Sequence, residues 1–165
     1  MFIVTPPDFY QILKNRHLLL DTNVFIDASG SPGEFAKFFN NLKDNGVTLV
    51  TLNAVAIEFT RGASTNIRYE EKNQYLNNII DAYLPVNEEI YKNASKLVES
   101  YKEEGKDVSI VDFLLGGTLI KYGENISLMT KDVKDFPQNI FKLETFINLI
   151  KSKSIHNFGF YSYVD

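Results

Sequence analysis

The sequence predicts an α/β domain with a central, mostly parallel sheet flanked by helices. Short apolar runs of strand length alternate with longer amphipathic stretches. Most of the 9 glycines and 5 prolines fall at the joints between them. No repeat, linker or low-complexity segment breaks the alternation. A chain of 165 residues fits one such domain. Its core is expected over about 17–150, with an N-terminal extension (1–16) and an aromatic C-terminal tail (151–165).

Residues 17–21 (HLLLD) are long enough for a buried strand and too short for a helix. Residues 35–43 have amphipathic helical spacing and stop before Asn45-Gly46. Residues 47–51 (VTLVT) are β-branched and read as a strand. Asn53 is placed to cap a helix that runs through Glu58 toward Gly62. Apolar residues at helical spacing (Tyr75, Leu76, Ile79, Ile80, Tyr83) predict a helix over 67–83, with Tyr75 in the core. Leu84-Pro85-Val86 is expected to be extended, because proline restricts the residue before it. A helix over 88–103 carries Ile90, Ala94, Leu97, Val98 and Tyr101 on one face. The next, over 109–121, contains Gly116-Gly117, a pair that costs about 2 kcal/mol in a helix interior. That cost implies close backbone packing, here against the central sheet. Residues 126–130 read as a strand, 132–137 as a turn, 141–143 as a strand and 144–151 as a helix. The tail from Ile155 alternates loosely.

Composition removes several function classes. With no cysteine there are no disulfides, thiolate zinc sites or cysteine nucleophiles. A net charge of −4 argues against coating nucleic acid by bulk charge, yet permits a local basic patch beside acids. Neither glycine-rich phosphate-loop pattern occurs. No serine has a local histidine–acid signature, and both histidines, His17 and His156, read as incidental. The first ten residues have no basic residue before a short apolar run, so no secretory signal is expected. No apolar run approaches 18 residues. The expectation is a cytoplasmic protein with no membrane partner.

The acids are the informative residues. Ligands of parallel sheets bind at the carboxyl ends of strands. Asp21 follows the run Leu18-Leu19-Leu20, and Asp132 follows Leu128-Met129-Thr130. An ionised Asp at a buried strand end needs hydrogen bonds, a paired charge or a cation. Thr22 and Asn23 are beside Asp21 to bond it, or to cap the next helix. Glu58 is a lone carboxylate on an apolar helix, either the solvent-facing position or an inward ligand. Ser109-Ile110-Val111-Asp112 forms a capping box with Asp in place of Glu or Gln. That sets a carboxylate in the first helical turn, where the helix dipole favours it. Asp132 is better placed than Asp135, which reads as a turn residue.

Taken in order, LLLDTNVFID at 18–27, Glu58, Ser109-x-x-Asp112 and Thr130-x-Asp132-x-x-Asp135-Phe136 resemble the PIN domain over about residues 18–149. PIN domains are nucleases, many of them ribonucleases, and the subgroup this chain looks most like is the VapC-like toxins of toxin–antitoxin pairs. The resemblance implies an Mg²⁺- or Mn²⁺-dependent endoribonuclease whose metal-binding and catalytic acids are Asp21, Glu58, Asp112 and Asp132. Asp21 is then the central ligand, with Asp112 and Asp132 flanking it. Glu58 binds through water or acts as general base, and Asn23 and Thr130 orient the acids. Asp135 and Asp27 compete to complete the site. Products would carry 5′-phosphate and 3′-hydroxyl. The implied partners are an RNA substrate, a cognate antitoxin and a second copy in a homodimer.

Hard divalent cations suit carboxylate oxygens. They serve phosphodiester hydrolysis by activating water and neutralising phosphoryl charge. A like-charged cluster is strained without one. Without the four acids the rest of the chain is neutral, so RNA would be held by local cations, Arg61 and Lys131 first among Arg68, Lys72 and Lys134. Tyr69 is available to stack on a base. A haloacid-dehalogenase-like phosphatase would want a second acid two residues after Asp21, where Asn23 stands. A catalytically degenerate PIN module, binding RNA or a protein partner, is the alternative that the survival of all four acids disfavours.

Overall fold

A computed structural model describes residues 1–102, 105 and 107–164. The elements run β1 (Phe2–Val4), α1 (Phe9–Leu13), β2 (His17–Leu20), α2 (Thr22–Ser29), α3 (Pro32–Asp44), β3 (Thr48–Leu52) and α4 (Asn53–Arg61). They continue with α5 (Asn66–Ile79), β4 (Ala82–Leu84), α6 (Glu88–Lys102), α7 (Ile110–Tyr122), β5 (Ile126–Thr130), β6 (Lys142–Ile150) and β7 (Ile155–Ser162). Glu103, the expected end of the helix from 88, and Asp165, the end of the tail, lie outside the described residues.

The seven strands form one sheet in the order β1-β6-β7-β5-β2-β3-β4. Strands β5, β2, β3 and β4 are mutually parallel. Strands β7, β6 and β1 extend the sheet with antiparallel pairings. The central parallel strands are buried on both faces, which is why Leu18, Leu19, Leu20, Leu49, Val50, Leu52, Leu128 and Met129 read as continuous apolar runs. From β2 the chain moves to β3 on one side and later to β5 on the other. The carboxyl ends of β2 and β5 therefore flank a crevice where the strand order reverses, the usual ligand position in such sheets.

Three expectations change. Residues 144–151 are strand β6 rather than helix. A period-two set (Leu143, Thr145, Ile147, Leu149) faces inward while Phe146 is half exposed, and antiparallel pairing to β7 runs from Lys142↔Ser162 to Ile150↔Ile155. Glu144 sits at a register shift in that ladder and ion-pairs with Arg16 at 2.8 Å. The helix expected over 67–83 ends at Ile79. There Asp81 takes over: its N–H donates to Leu49 O and its carboxylate accepts from Leu49 N–H, both at 2.8 Å, committing the chain to β4. The glycine pair does allow close approach, but to α6 rather than to the sheet. A methyl on Gly117 would come within 2.6 Å of the Ile90 carbonyl oxygen and 3.0 Å of Ala94 N. Residues 1–16 are integrated: β1 pairs with β6, and Phe9 and Leu13 are buried in the core.

Candidate functional site

Asp21 is the residue after β2 and the N-cap of α2, its side chain accepting from Thr22 N–H at 2.6 Å. It is 2% exposed. Its other oxygen accepts from Thr130 Oγ1 and Asn23 Nδ2, both at 2.7 Å. Asn23 Nδ2 also lies 3.0 Å from Thr130 Oγ1 and from Asp132 Oδ2. Asn23 Oδ1 accepts the Lys131 N–H at 3.1 Å, and Thr130 Oγ1 accepts the Asp132 N–H at 3.0 Å. One amide and one hydroxyl thus lock the ends of the adjacent strands β2 and β5 to each other and orient both carboxylates.

Asp112 enters from the first turn of α7. Ser109 caps that helix by accepting the Asp112 N–H at 3.1 Å and donating its hydroxyl to Asp112 Oδ2 at 2.6 Å. Asp21, Asp112 and Asp132 each bring one carboxylate oxygen to within 4.8 Å of the others. Burial raises the Asp21 carboxyl to about 7, and the charges of Asp112 and Asp132 add to the rise against the hydrogen bonds from Thr130 and Thr22. Burial likewise lifts Asp112 to about 6, with Asp135, Asp132 and Glu58 pushing the same way and the Ser109 hydroxyl opposing them.

Glu58, on α4 after β3, stands beside this trio rather than in it. Its carboxylate accepts the Thr22 hydroxyl and lies 3.9 Å from the exposed Arg61 guanidinium. Asp135 contributes charge at Asp112, while its backbone carbonyl accepts the Tyr101 hydroxyl at 2.7 Å. Asp27 is elsewhere: 5% exposed, it ion-pairs with Lys131 at 2.6 Å and Lys151 at 2.7 Å and faces His156 Nδ1 at 3.0 Å. Lys131 is therefore ion-paired with Asp27, and His156 belongs to the same cluster. Lys72 is also engaged, donating to Phe59 O at 2.6 Å with its ammonium 4.5 Å above that ring. Tyr69 is 47% exposed, and Tyr75 is half-buried against the core as expected. Sequence reasoning missed the Asp27 partners because Lys151 and His156 lie 124 and 129 residues away. No local pattern joins them.

A carboxylate crevice at the carboxyl edge of parallel strands in an α/β domain is the class that fold and site define. The chain belongs to the PIN domain family, whose model matches residues 18–139. That family is generally one of nucleases. Solved structures with the same fold include two VapBC complexes. One is VapBC2 from Rickettsia felis bound to a DNA fragment from its promoter, at TM-score 0.61 and 18% identity over 72% of this chain and 89% of that one. The other is VapBC-1 from nontypeable Haemophilus influenzae, at TM-score 0.57 and 21% identity over 73% of this chain and 90% of that one. No curated protein matches the sequence.

Proposed function

We propose that this chain is an Mg²⁺- or Mn²⁺-dependent endoribonuclease, the toxin of a toxin–antitoxin pair. The observation that carries the reading is the convergence of three carboxylates from three separate elements within 4.8 Å, with Asp21 almost fully buried among them. The donor set fits a hard divalent cation, since it offers only oxygen ligands held in place by Asn23, Thr130 and Ser109. Burial first, and the charges of the neighbouring acids second, raise the Asp21 and Asp112 carboxyls, a cost that a bound cation would relieve.

Asp21, Asp112 and Asp132 would hold the cation. When bound, it supplies neutralisation of phosphoryl charge and activation of water. Glu58, bonded to Thr22 and beside the trio, would accept a proton from the attacking water. Arg61, 74% exposed at its side chain and 3.9 Å from Glu58, would meet a phosphate of the RNA strand. The toxin assignment is supported by likeness to two VapBC structures. An antitoxin is the corresponding partner, and an arginine offered to the acidic crevice is the electrostatically complementary contact.

The test is cleavage of a structured RNA with Mn²⁺ present. Native protein should cut it and leave 5′-phosphate ends. Asp112→Asn should lower the rate by at least about 100-fold, and chelation should abolish it. Full activity in Asp112→Asn would refute the role assignment.

A further inference from the structure

The buried charge cluster at Asp27 is joined to the acidic crevice through Lys131 and lies outside the trio of Asp21, Asp112 and Asp132. Asp27 is on α2, and its carboxylate receives Lys131 Nζ at 2.6 Å, Lys151 Nζ at 2.7 Å and His156 Nδ1 at 3.0 Å. Burial alone would raise its pKa, but the three basic partners outweigh that and hold it at about 2. Lys151 directly follows β6 and His156 lies in β7, both beyond the 18–139 span of the family match. The third donor, Lys131, is the residue between Thr130 and Asp132.

Lys131 is held at both ends. Its N–H donates to Asn23 Oδ1 at 3.1 Å, and its ammonium goes to Asp27, 5.8 Å above the Phe158 ring. An ammonium on a flexible stem beside three close carboxylates is drawn toward them by ordinary Coulomb attraction. Here Asp27 takes it instead. Among the described residues, no ion pair joins a basic side chain to Asp21, Asp112 or Asp132.

We infer that Asp27, clamped by the β6–β7 hairpin, is a positioning residue for the acidic site: it keeps the Lys131 ammonium out of the crevice and fixes the backbone that carries Thr130 and Asp132. The inference rests on the reading of the crevice as a cation site, but its first readout needs no metal.

The experiment measures amide hydrogen exchange at Lys131 and Asp132 in metal-free protein, then Mn²⁺ affinity by calorimetry. Asp27→Asn should speed exchange at both amides by at least about tenfold relative to native and weaken Mn²⁺ binding by at least about tenfold. Adding Lys131→Met to Asp27→Asn should restore much of the Mn²⁺ affinity, because no ammonium is left to enter the crevice. A merely structural role would not produce that rescue. Leu42→Ala, a core variant in α3, controls for general destabilisation and should leave both relative readouts unchanged. Should Asp27→Asn fail to fold, Lys151→Met, at the rim of the cluster, carries the same two measurements. Exchange within twofold of native in the folded variant would overturn the inference. If native protein takes up no Mn²⁺, the cation reading falls, and the exchange at Lys131 still decides the role of Asp27.

Discussion

At Asp21, burial and like charge act in the same direction. Its carboxyl sits at about 7 in the folded chain, against an ordinary value of 3.8. Between those two values the folded protein holds a proton that the unfolded chain has released. Metal-free stability is therefore greatest below the lower value and falls as pH rises toward and through the higher one. Asp112, at about 6, acts with the same sign. Asp27 acts oppositely: held at about 2, its contribution is present above its ordinary value of 3.8 and lost as pH falls toward 2. Together these three groups place the peak of the metal-free melting temperature near about pH 4, with a decline from there to about pH 7. Asp21→Asn should remove most of that decline. A profile as steep in the variant as in native protein would contradict this account of Asp21. The acids of the crevice were legible because each sits at a local signal, a strand end or a capping box. Asp27 read only as a rival ligand, because Lys151 and His156, which turn it into an ion-paired cluster, arrive from the far end of the chain.

At the scale of elements, α7 shows how a local penalty becomes a packing rule. Gly117 lies against the backbone of α6, where nothing can give way: an added methyl would meet the Ile90 carbonyl oxygen at 2.6 Å. Gly116 meets the end of the Leu97 side chain at 2.6 Å and Phe141 Cζ at 3.2 Å, and a leucine rotamer can move. Gly117→Ala should thus destabilise by about 3 kcal/mol or more, and Gly116→Ala by clearly less, in urea unfolding. Equal costs would mean that the α6–α7 contact is softer than its geometry. The glycines announced a close contact, but composition gave no sign of which neighbour made it. The strand at Lys142–Ile150 was harder still. FINLI satisfies both a helical and an alternating pattern, and the partner that decides for strand, β7, comes later in the chain. The same holds at Ile80–Asp81, where hydrogen bonds to Leu49 override a continuing helical period.

At the scale of the molecule, the half of the sheet that carries the crevice depends on the half beyond the family match. β7 covers the open edge of β5, pairing Thr130 with Gly159, and Phe158, Phe160 and Tyr161 are buried in the common core. A chain ending at residue 139 keeps the whole matched span yet leaves β5 as an exposed edge and removes those three rings. It should lose its cooperative melting transition in circular dichroism, since an uncovered apolar edge strand aggregates or unfolds. A truncated chain that melts cooperatively near the native temperature would show that the two halves are independent.

The central claim is that Asp21, Asp112 and Asp132 form one divalent-cation site, and thermal unfolding with and without Mn²⁺ at about pH 8 tests it most directly. Cation at about 100 times its dissociation constant adds about 2.7 kcal/mol, which for a domain of this size raises the melting temperature by about 5–10 °C. Native protein should show that rise, and Asp112→Asn should lose it. An equal rise in both, or none in native protein, would contradict the assignment of these three carboxylates to a cation.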